Sequence, residues 1–399
     1  GAGRGAATVG GRPGRGRGVR AGVPMIPPSP FGVYIHVPFC RFRCDYCAFA
    51  TYTDRDHLMG AYASACLTEL RRAVADEGIP PATSVFFGGG TPSRLPADLL
   101  VEILDAVPRA AGAEVTVECN PEDADPERLA AYRAGGVTRV SLGVQSTMPR
   151  VLAGLGRRHG AGEAADTAAA VAGAGFASWN MDLIMGGAGE THADWERSLT
   201  EVIGLAEPPP HLSAYSLTVE PGTPLAAAPD RHPDDDVQAD RYEMTEEILG
   251  RAGYRWEEIS NWARPGHGCR HNRLYWDQGE YRGIGSAAHS HRDGRRWWNV
   301  RTPDRYVRMI GGGRSATAGE EILTDRQRRF EALALRLRTP AGVPADALPG
   351  DEDLGGLVER VDGTAVLTVR GRLLANAVTA RLAVGPEGRE PPGTIPPYA

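Results

Sequence analysis

The sequence predicts an α/β fold: an incomplete barrel of six strand–helix units, followed by a small C-terminal helical, winged-helix-like domain. Strand-like apolar runs alternate with stretches of helical spacing from residue 31 to about residue 255, which means parallel strands joined by crossover helices. Each run ends in glycine or polar residues, as the strands of a barrel do at the end that carries a site. After residue 263 this rhythm stops and a different composition begins. An open doubly wound sheet is the second reading of the same pattern.

Taken in order, residues 1–29 are rich in Gly, Arg and Pro, and the first 24 contain no acid, so this segment reads as a disordered terminus. A basic arm for nucleic acid is the alternative reading of the same arginines. The first strand is "FGVYIHV" (31–37), dense in β-branched and aromatic residues. A helical stretch, "HLMGAYASACLTELRRAVADEG" (57–78), follows it. The next strands are "SVFFGGG" (84–90), "AEVTVEC" (113–119), "RVSLGVQS" (139–146), "NMDLIMG" (180–186) and "LSAYSLT" (212–218). The helical run "QADRYEMTEEILGRAG" (238–253) closes the series. Beyond "YRWEEISNWA" (254–263) comes the aromatic, His-containing run "GCRHNRLYWDQGEYRGIGSAAHSH" (268–291), read as an extension of a barrel unit spanning 30–305. A charged helix at 325–338 and the strand-turn-helix "VLTVRGRLLANAVTARL" (366–382) mark a separate domain over 306–385. The Pro- and Gly-rich residues 386–399 form a disordered tail.

Composition narrows the function. The net charge of −6 argues against an extended nucleic-acid surface. All 44 basic residues are arginine, so neither a phosphate-loop lysine nor a lysine Schiff base is available. No apolar run approaches a membrane span, and no secretory signal is present. Six cysteines in 399 residues then point to a reducing cytoplasm with few or no disulfides.

Half of those cysteines crowd into "HVPFCRFRCDYCAFA": Cys40, Cys44 and Cys47, with Phe49 where a fourth thiol would continue the run. A zinc site normally draws on four ligands, and no second pair follows. A thioredoxin-like pair explains Cys44 and Cys47 but leaves Cys40 idle. A [4Fe–4S] cube held by three thiolates leaves one iron open for another ligand. A buried structural trio is the plain alternative, and a polar loop flanked by arginines fits it poorly. His36 and Phe39 stand ready to wall the loop from water.

Cys-x3-Cys-x2-Cys after the first strand of a partial barrel resembles the radical S-adenosylmethionine (SAM) superfamily. The resemblance implies a [4Fe–4S] cluster on Cys40, Cys44 and Cys47, with SAM chelated at the open iron and cleaved on reduction. It also implies SAM-binding roles at successive strand ends. "GGGTP", with Gly88, Gly89, Gly90 and Thr91, is similar to the segment that binds the amino group. Glu118 in "ECNP" occupies the place that holds the ribose hydroxyls. Gln145 in "GVQS", Asp182 in "MDLIMG" and Tyr34 on the first strand match the pattern too. Arg157 in "LGRRH" is placed to pair the SAM carboxylate, with Arg158 as its competitor. For each residue alone, strand capping is the competing role.

From residue 31 to 385, "YSLTVEPGTPL" and the C-terminal domain included, the chain resembles the HemN/HemW branch, the oxygen-independent coproporphyrinogen III oxidases and their relatives. The oxidases carry one more cysteine where this chain has Phe49, as HemW-type proteins do. "HNRLYW" (271–276) matches the HN-x-x-YW segment of HemW-type haem chaperones. That implies haem as a ligand, with His271 as an axial ligand, Cys269 as an alternative one, and Tyr275 and Trp276 against the porphyrin. Ala48, Ala50 and Met185 depart from the branch's usual residues.

The reading is therefore a cytoplasmic haem chaperone that binds [4Fe–4S], SAM and haem. Its partners are haem-acceptor proteins, membrane-bound respiratory enzymes among them, with membrane association through such a partner. Its rivals are coproporphyrinogen III oxidation and porphyrin methyl transfer.

Overall fold

The computed structural model describes residues 1–3, 29–157, 160–348 and 354–383. Most of the N-terminal segment, the tail after 385 and Arg158 lie outside the described residues.

Strands β1 (Phe31–Val37), β2 (Ala82–Gly89), β3 (Arg109–Cys119), β4 (Arg139–Gln145), β5 (Ser178–Met185) and β6 (His211–Ser216) pair in parallel, each with the next in the chain. A doubly wound sheet needs a point at which the strand order reverses. Here the order never reverses, so the sheet winds one way as a partial barrel and the second reading of the sequence falls.

Alternation along the strands sorts the side chains. Val33, Ile35 and Val37 of β1, Val85 and Phe87 of β2, and Val115 and Val117 of β3 pack with Tyr62 and Leu70 of the helix Met59–Ala75 in one core. Val140, Leu142 and Val144 of β4 and Met181 and Leu183 of β5 join Trp195 and Leu199 of the helix His192–Ile203 in a second core. By the two-residue period, the other face carries Tyr34 and His36, Ser84 and Gly88, Thr116 and Glu118, Ser141, Asn180 and Asp182, and Ser213 and Tyr215. The barrel thus has an apolar jacket and a polar lumen.

The run after residue 254 forms strands that the sequence pattern does not announce. The hairpin β7 (Arg255–Glu258) and β8 (Asn261–Ala263) pairs antiparallel with β6. At the opposite edge, β9 (Glu280–Ile284) pairs in parallel with β1. Antiparallel β10 (His289–Arg292), β11 (Arg295–Asn299) and β12 (Thr317–Ile322) then complete a 12-stranded sheet. Asp293 and Gly294, both at positive φ (52° and 74°), make the two-residue turn between β10 and β11.

The main body also runs past residue 306. Tyr306 and Ile310 of the helix Pro303–Gly311 belong to the first core, and β12 is paired to β11. The separate C-terminal core starts with Phe330, Ala334 and Leu337, and packs against β13 (Val343–Pro344), β14 (Val358–Val361) and β15 (Thr364–Leu367). These form an antiparallel sheet in the order β13-β15-β14. Arg296 to Glu331 (3.1 Å), and Arg372 to Glu246 (2.6 Å) with its guanidinium 3.7 Å from the Trp256 ring centre, tie this unit to the barrel. Among the described residues no helix is long and apolar enough to cross a membrane.

Candidate functional site

The cysteine loop leaves β1 at Val37 and is closed by backbone pairing. Cys40 N–H donates to the Tyr52 carbonyl (3.1 Å) and Tyr52 N–H to that of Pro38 (2.8 Å). Phe39 is fully buried, edge-on to Tyr62 at 5.3 Å, while His36 Nε2 lies 3.1 Å from the Ala50 carbonyl and holds the far end of the loop. Between them Asp45 is pinned across the barrel: its N–H donates to Leu155 O (3.3 Å), its carbonyl accepts from Leu225 N–H (2.9 Å), and its carboxylate accepts from Arg231 (2.7 Å).

Donors point at two of the sulfurs. Thr91 Oγ1 donates to Cys40 Sγ (3.5 Å) and Arg157 Nη1 to Cys44 Sγ (3.6 Å). All six cysteines are free thiols. Burial pushes the Cys40 thiol up to about 11, with Cys47 and Cys44 raising it further, and burial also raises Cys47. A cationic centre is what would let such thiols ionise. Among the described residues no three His, Cys, Asp or Glu side chains gather as ligands of a single metal ion. Donors aimed at the sulfurs of this loop from the segments that follow β2 and β4 suit thiolates that ligate a larger group, such as one sulfur per corner of a cube.

The "GGGTP" segment turns three of its amides into the protein. Gly89 N–H donates to Glu118 Oε2 (3.1 Å), Gly90 N–H to Val37 O (2.8 Å) and Thr91 N–H to Phe39 O (2.8 Å). Those amides serve the protein, and an amino group would look instead for a carbonyl of this stretch, of which that of Thr91 already accepts from Arg94 N–H (2.9 Å). The glycines are required by close approach. A Cβ on Gly89 (φ +115°) would fall 2.4 Å from the His36 ring, and one on Gly90 would fall 2.9 Å from the backbone of the cysteine loop.

Glu118 faces Tyr34 across Gly88, where a Cβ would lie 3.1 Å from the Tyr34 ring and 3.2 Å from Glu118 Oε2. Tyr34 OH is 3.1 Å from His36 Nδ1. Burial, then the nearby Asp182 carboxylate, pushes Glu118 up to about 8, against the opposing Gly89 N–H. Burial also raises Asp182, although Ser141 Oγ (3.2 Å) and Asn180 Nδ2 (2.8 Å) donate to it. Gln145 ends β4 at φ +68°, an uncommon conformation for a residue with a side chain and one that clusters at functional sites. Beside it, Arg157 Nη2 donates to Gly143 O (2.5 Å) and Asn120 Oδ1 (3.2 Å).

The structure therefore gathers Cys40, Cys44, Cys47, Thr91, Gln145 and Arg157 around one mouth, with Tyr34, Glu118 and Asp182 in the lumen below. Asn120 was not singled out from sequence, although it directly follows β3, where residues of the site-bearing end belong. Tyr215 was also missed; it shares the lumen face of β6 with Ser213, and the two-residue alternation identifies it.

His271 lies elsewhere. It sits on the helix Arg270–Trp276, fully buried, with Nδ1 2.9 Å from Ser84 Oγ and Nε2 2.9 Å from Tyr275 OH. Its ring stacks on Phe86 at 5.3 Å, and burial pushes its pKa down to about 3. Gly32, one residue into β1, leaves room for it: a Cβ there would lie 3.0 Å from His271 Cε1. The helix plugs the floor of the barrel. As placed, both imidazole nitrogens have protein partners, so haem ligation through this motif would require Ser84 or Tyr275 to give way. Cys269 is buried too, its thiol 3.7 Å from Glu114 Oε1 and pushed up to about 12 by burial.

The radical SAM superfamily model matches residues 34–202. A heme chaperone HemW of Mycobacterium tuberculosis is 43% identical over 380 residues, 90% of this chain and 97% of the relative. A heme chaperone HemW of Synechocystis is 37% identical, covering 80% of this chain and 81% of the relative. The solved structure of the coproporphyrinogen III oxidase HemN of Escherichia coli superposes with a TM-score of 0.76 over 89% of this chain and 90% of its own, at 23% identity, a likeness of fold.

Proposed function

The chain belongs to the HemW family of radical SAM proteins, and from that footing we propose that it is a haem chaperone, binding haem and handing it to haem-dependent proteins. Membership of the superfamily implies a [4Fe–4S] cluster and SAM, and the residues at the barrel mouth fit both. Cys40, Cys44 and Cys47 would ligate three irons. Glu118 would accept the ribose hydroxyls, the carbonyls of the Gly88–Thr91 stretch the amino group, and Gln145 and Asp182 would line the pocket with Tyr34. Bound there, the pair supplies reductive one-electron chemistry. The chain's own part is to orient SAM, to exclude water with His36 and Phe39, and to hold a proton on Glu118 until a ligand displaces it.

One observation carries the haem reading. The cysteine loop turns two phenyl rings outward, Phe42 at 41% and Phe49 at 48% exposure, beside Arg41 and Arg43. Flat apolar faces next to cations are what a porphyrin with two propionates requires. The same Phe49 stands where the oxidases of the branch carry a further cysteine. Acceptors in the cytoplasm or in a respiratory membrane would be reached by contact.

The test is a haem titration of the anaerobically reconstituted chain, followed by mixing with an apo-acceptor. Saturable binding, weakened at least about tenfold in the double variant Phe42→Ala/Phe49→Ala, and transfer of the Soret band to the acceptor are expected. Non-saturable haem uptake, equal in wild type and variant, would overturn the proposal.

A further inference from the structure

We propose that Arg157, positioned by Asn120, sets the reduction potential of the cluster through its N–H···S bond to Cys44. This rests on the cluster reading above and goes beyond it, because it concerns the protein with no SAM bound.

The guanidinium is committed before any ligand arrives. Nη2 donates to both Gly143 O (2.5 Å) and Asn120 Oδ1 (3.2 Å), which leaves Nη1 directed at Cys44 Sγ (3.6 Å). Asn120 in turn donates from Nδ2 to Thr91 Oγ1 (3.2 Å), the hydroxyl that donates to Cys40 Sγ (3.5 Å). A single relay, Arg157–Asn120–Thr91, thereby delivers donors to two of the three sulfurs. It is locked to the loop it serves. Gly143 admits the guanidinium, since a Cβ there would lie 2.8 Å from Nη2, and Gly156 (φ +73°) lets the Arg157 turn close on Asp45, to which a Cβ would come within 2.8 Å of Oδ1.

Reduction adds one electron to the cluster and spreads negative charge onto its sulfurs. Hydrogen bonds to those sulfurs are among the terms that set the potential of an iron–sulfur centre. A buried cation donating to Cys44 favours the reduced form more than the oxidised one, so it raises the potential. Asn120 is a positioning residue in this scheme, and Arg157 touches the ligand sulfur itself.

The experiment is a dithionite titration of the reconstituted protein without SAM, with the reduced cluster followed by electron paramagnetic resonance and iron measured in parallel. Arg157→Met should keep its iron and shift the midpoint negative. The expected size is at least about tenfold in the reduction equilibrium, 59 mV for a one-electron couple. Asn120→Ala should shift it the same way by less, and Arg157→Lys should fall between wild type and Arg157→Met, because it keeps the charge without the fork. Full iron in Arg157→Met with a wild-type midpoint would overturn the proposal. If that variant loses its cluster, an unmoved midpoint in iron-loaded Asn120→Ala overturns it instead. A wild-type chain that takes up no iron is a different result: it overturns the cluster reading itself.

Discussion

Glu118 makes SAM binding a proton-linked event. Its carboxyl is enclosed in the lumen, close to Asp182, with Gly89 N–H donating to Oε2 at 3.1 Å and a pKa pushed up to about 8. Accepting hydrogen bonds from a ribose diol requires the ionised form. At pH 7, one unit below that value, roughly a tenth of the molecules carry it, and one unit is worth 1.36 kcal/mol. SAM affinity should therefore rise about tenfold from pH 7 to a plateau above pH 9, with one proton released per SAM bound at neutral pH. Anaerobic calorimetry of the cluster-loaded protein, in buffers of different ionisation enthalpy, reads both quantities. Asp182→Asn should move the rise to lower pH by removing a neighbouring negative charge. Glu118→Gln should flatten it and weaken high-pH binding by about 1.5–3 kcal/mol, the worth of a charge-assisted hydrogen bond. The sign carries over to folding. A carboxyl whose folded pKa stands above its unfolded value contributes most below the unfolded value and loses that contribution as pH climbs towards 8. Relative to wild type, Glu118→Gln should be more stable at pH 8 than at pH 5. A flat SAM affinity from pH 6.5 to 9 in wild type, or the same slope in Glu118→Gln, would refute the reasoning.

Three further outcomes are expected. Reconstituted wild type should hold about four irons; Cys40→Ala, Cys44→Ala or Cys47→Ala should each lose most of them, and Cys66→Ala and Cys119→Ala should keep them, as an iron assay will show. His271→Ala removes one buried and one partly buried hydrogen bond together with the stacked ring, so thermal or urea unfolding should report a loss of about 2–4 kcal/mol; the haem spectrum should not change. Gly89→Ala places a Cβ against the His36 ring at a φ of +115°, which should cost about 1–3 kcal/mol in backbone strain alone and weaken SAM binding while the iron is retained.

The six parallel strands were legible because each is a short apolar run with a polar or glycine end, and because burial on the jacket face enforces the alternation. The candidate site residues were picked on the same logic, that strand ends are where a barrel exposes polar groups: Cys40 follows β1, and Glu118 and Gln145 fall at the ends of β3 and β4, whereas Asp182 lies mid-strand on the lumen face of β5. The edge strands were not. β7 to β12 are three to six residues long and rich in Arg, Trp and His, and β9 takes its direction from the free edge of β1 rather than from its own pattern. Even so, the Asp293–Gly294 pair in "HRDGRR" was a hairpin signal in plain view. The direction of the Gly88–Thr91 amides was out of reach, since it depends on Val37, Phe39 and Glu118 arriving beside them. His271 is the converse case. A motif resemblance assigned it outward chemistry, whereas its neighbours Ser84, Phe86 and Tyr275 enclose it.

The central claim is that this radical SAM barrel carries haem rather than oxidising its precursor. The most direct measurement incubates the reconstituted chain anaerobically with SAM, dithionite and coproporphyrinogen III, analyses the porphyrins by chromatography, and titrates haem in a parallel sample. The account predicts unconverted coproporphyrinogen together with saturable haem binding. Protoporphyrinogen accumulating with turnover, in a chain that binds no haem, would contradict it.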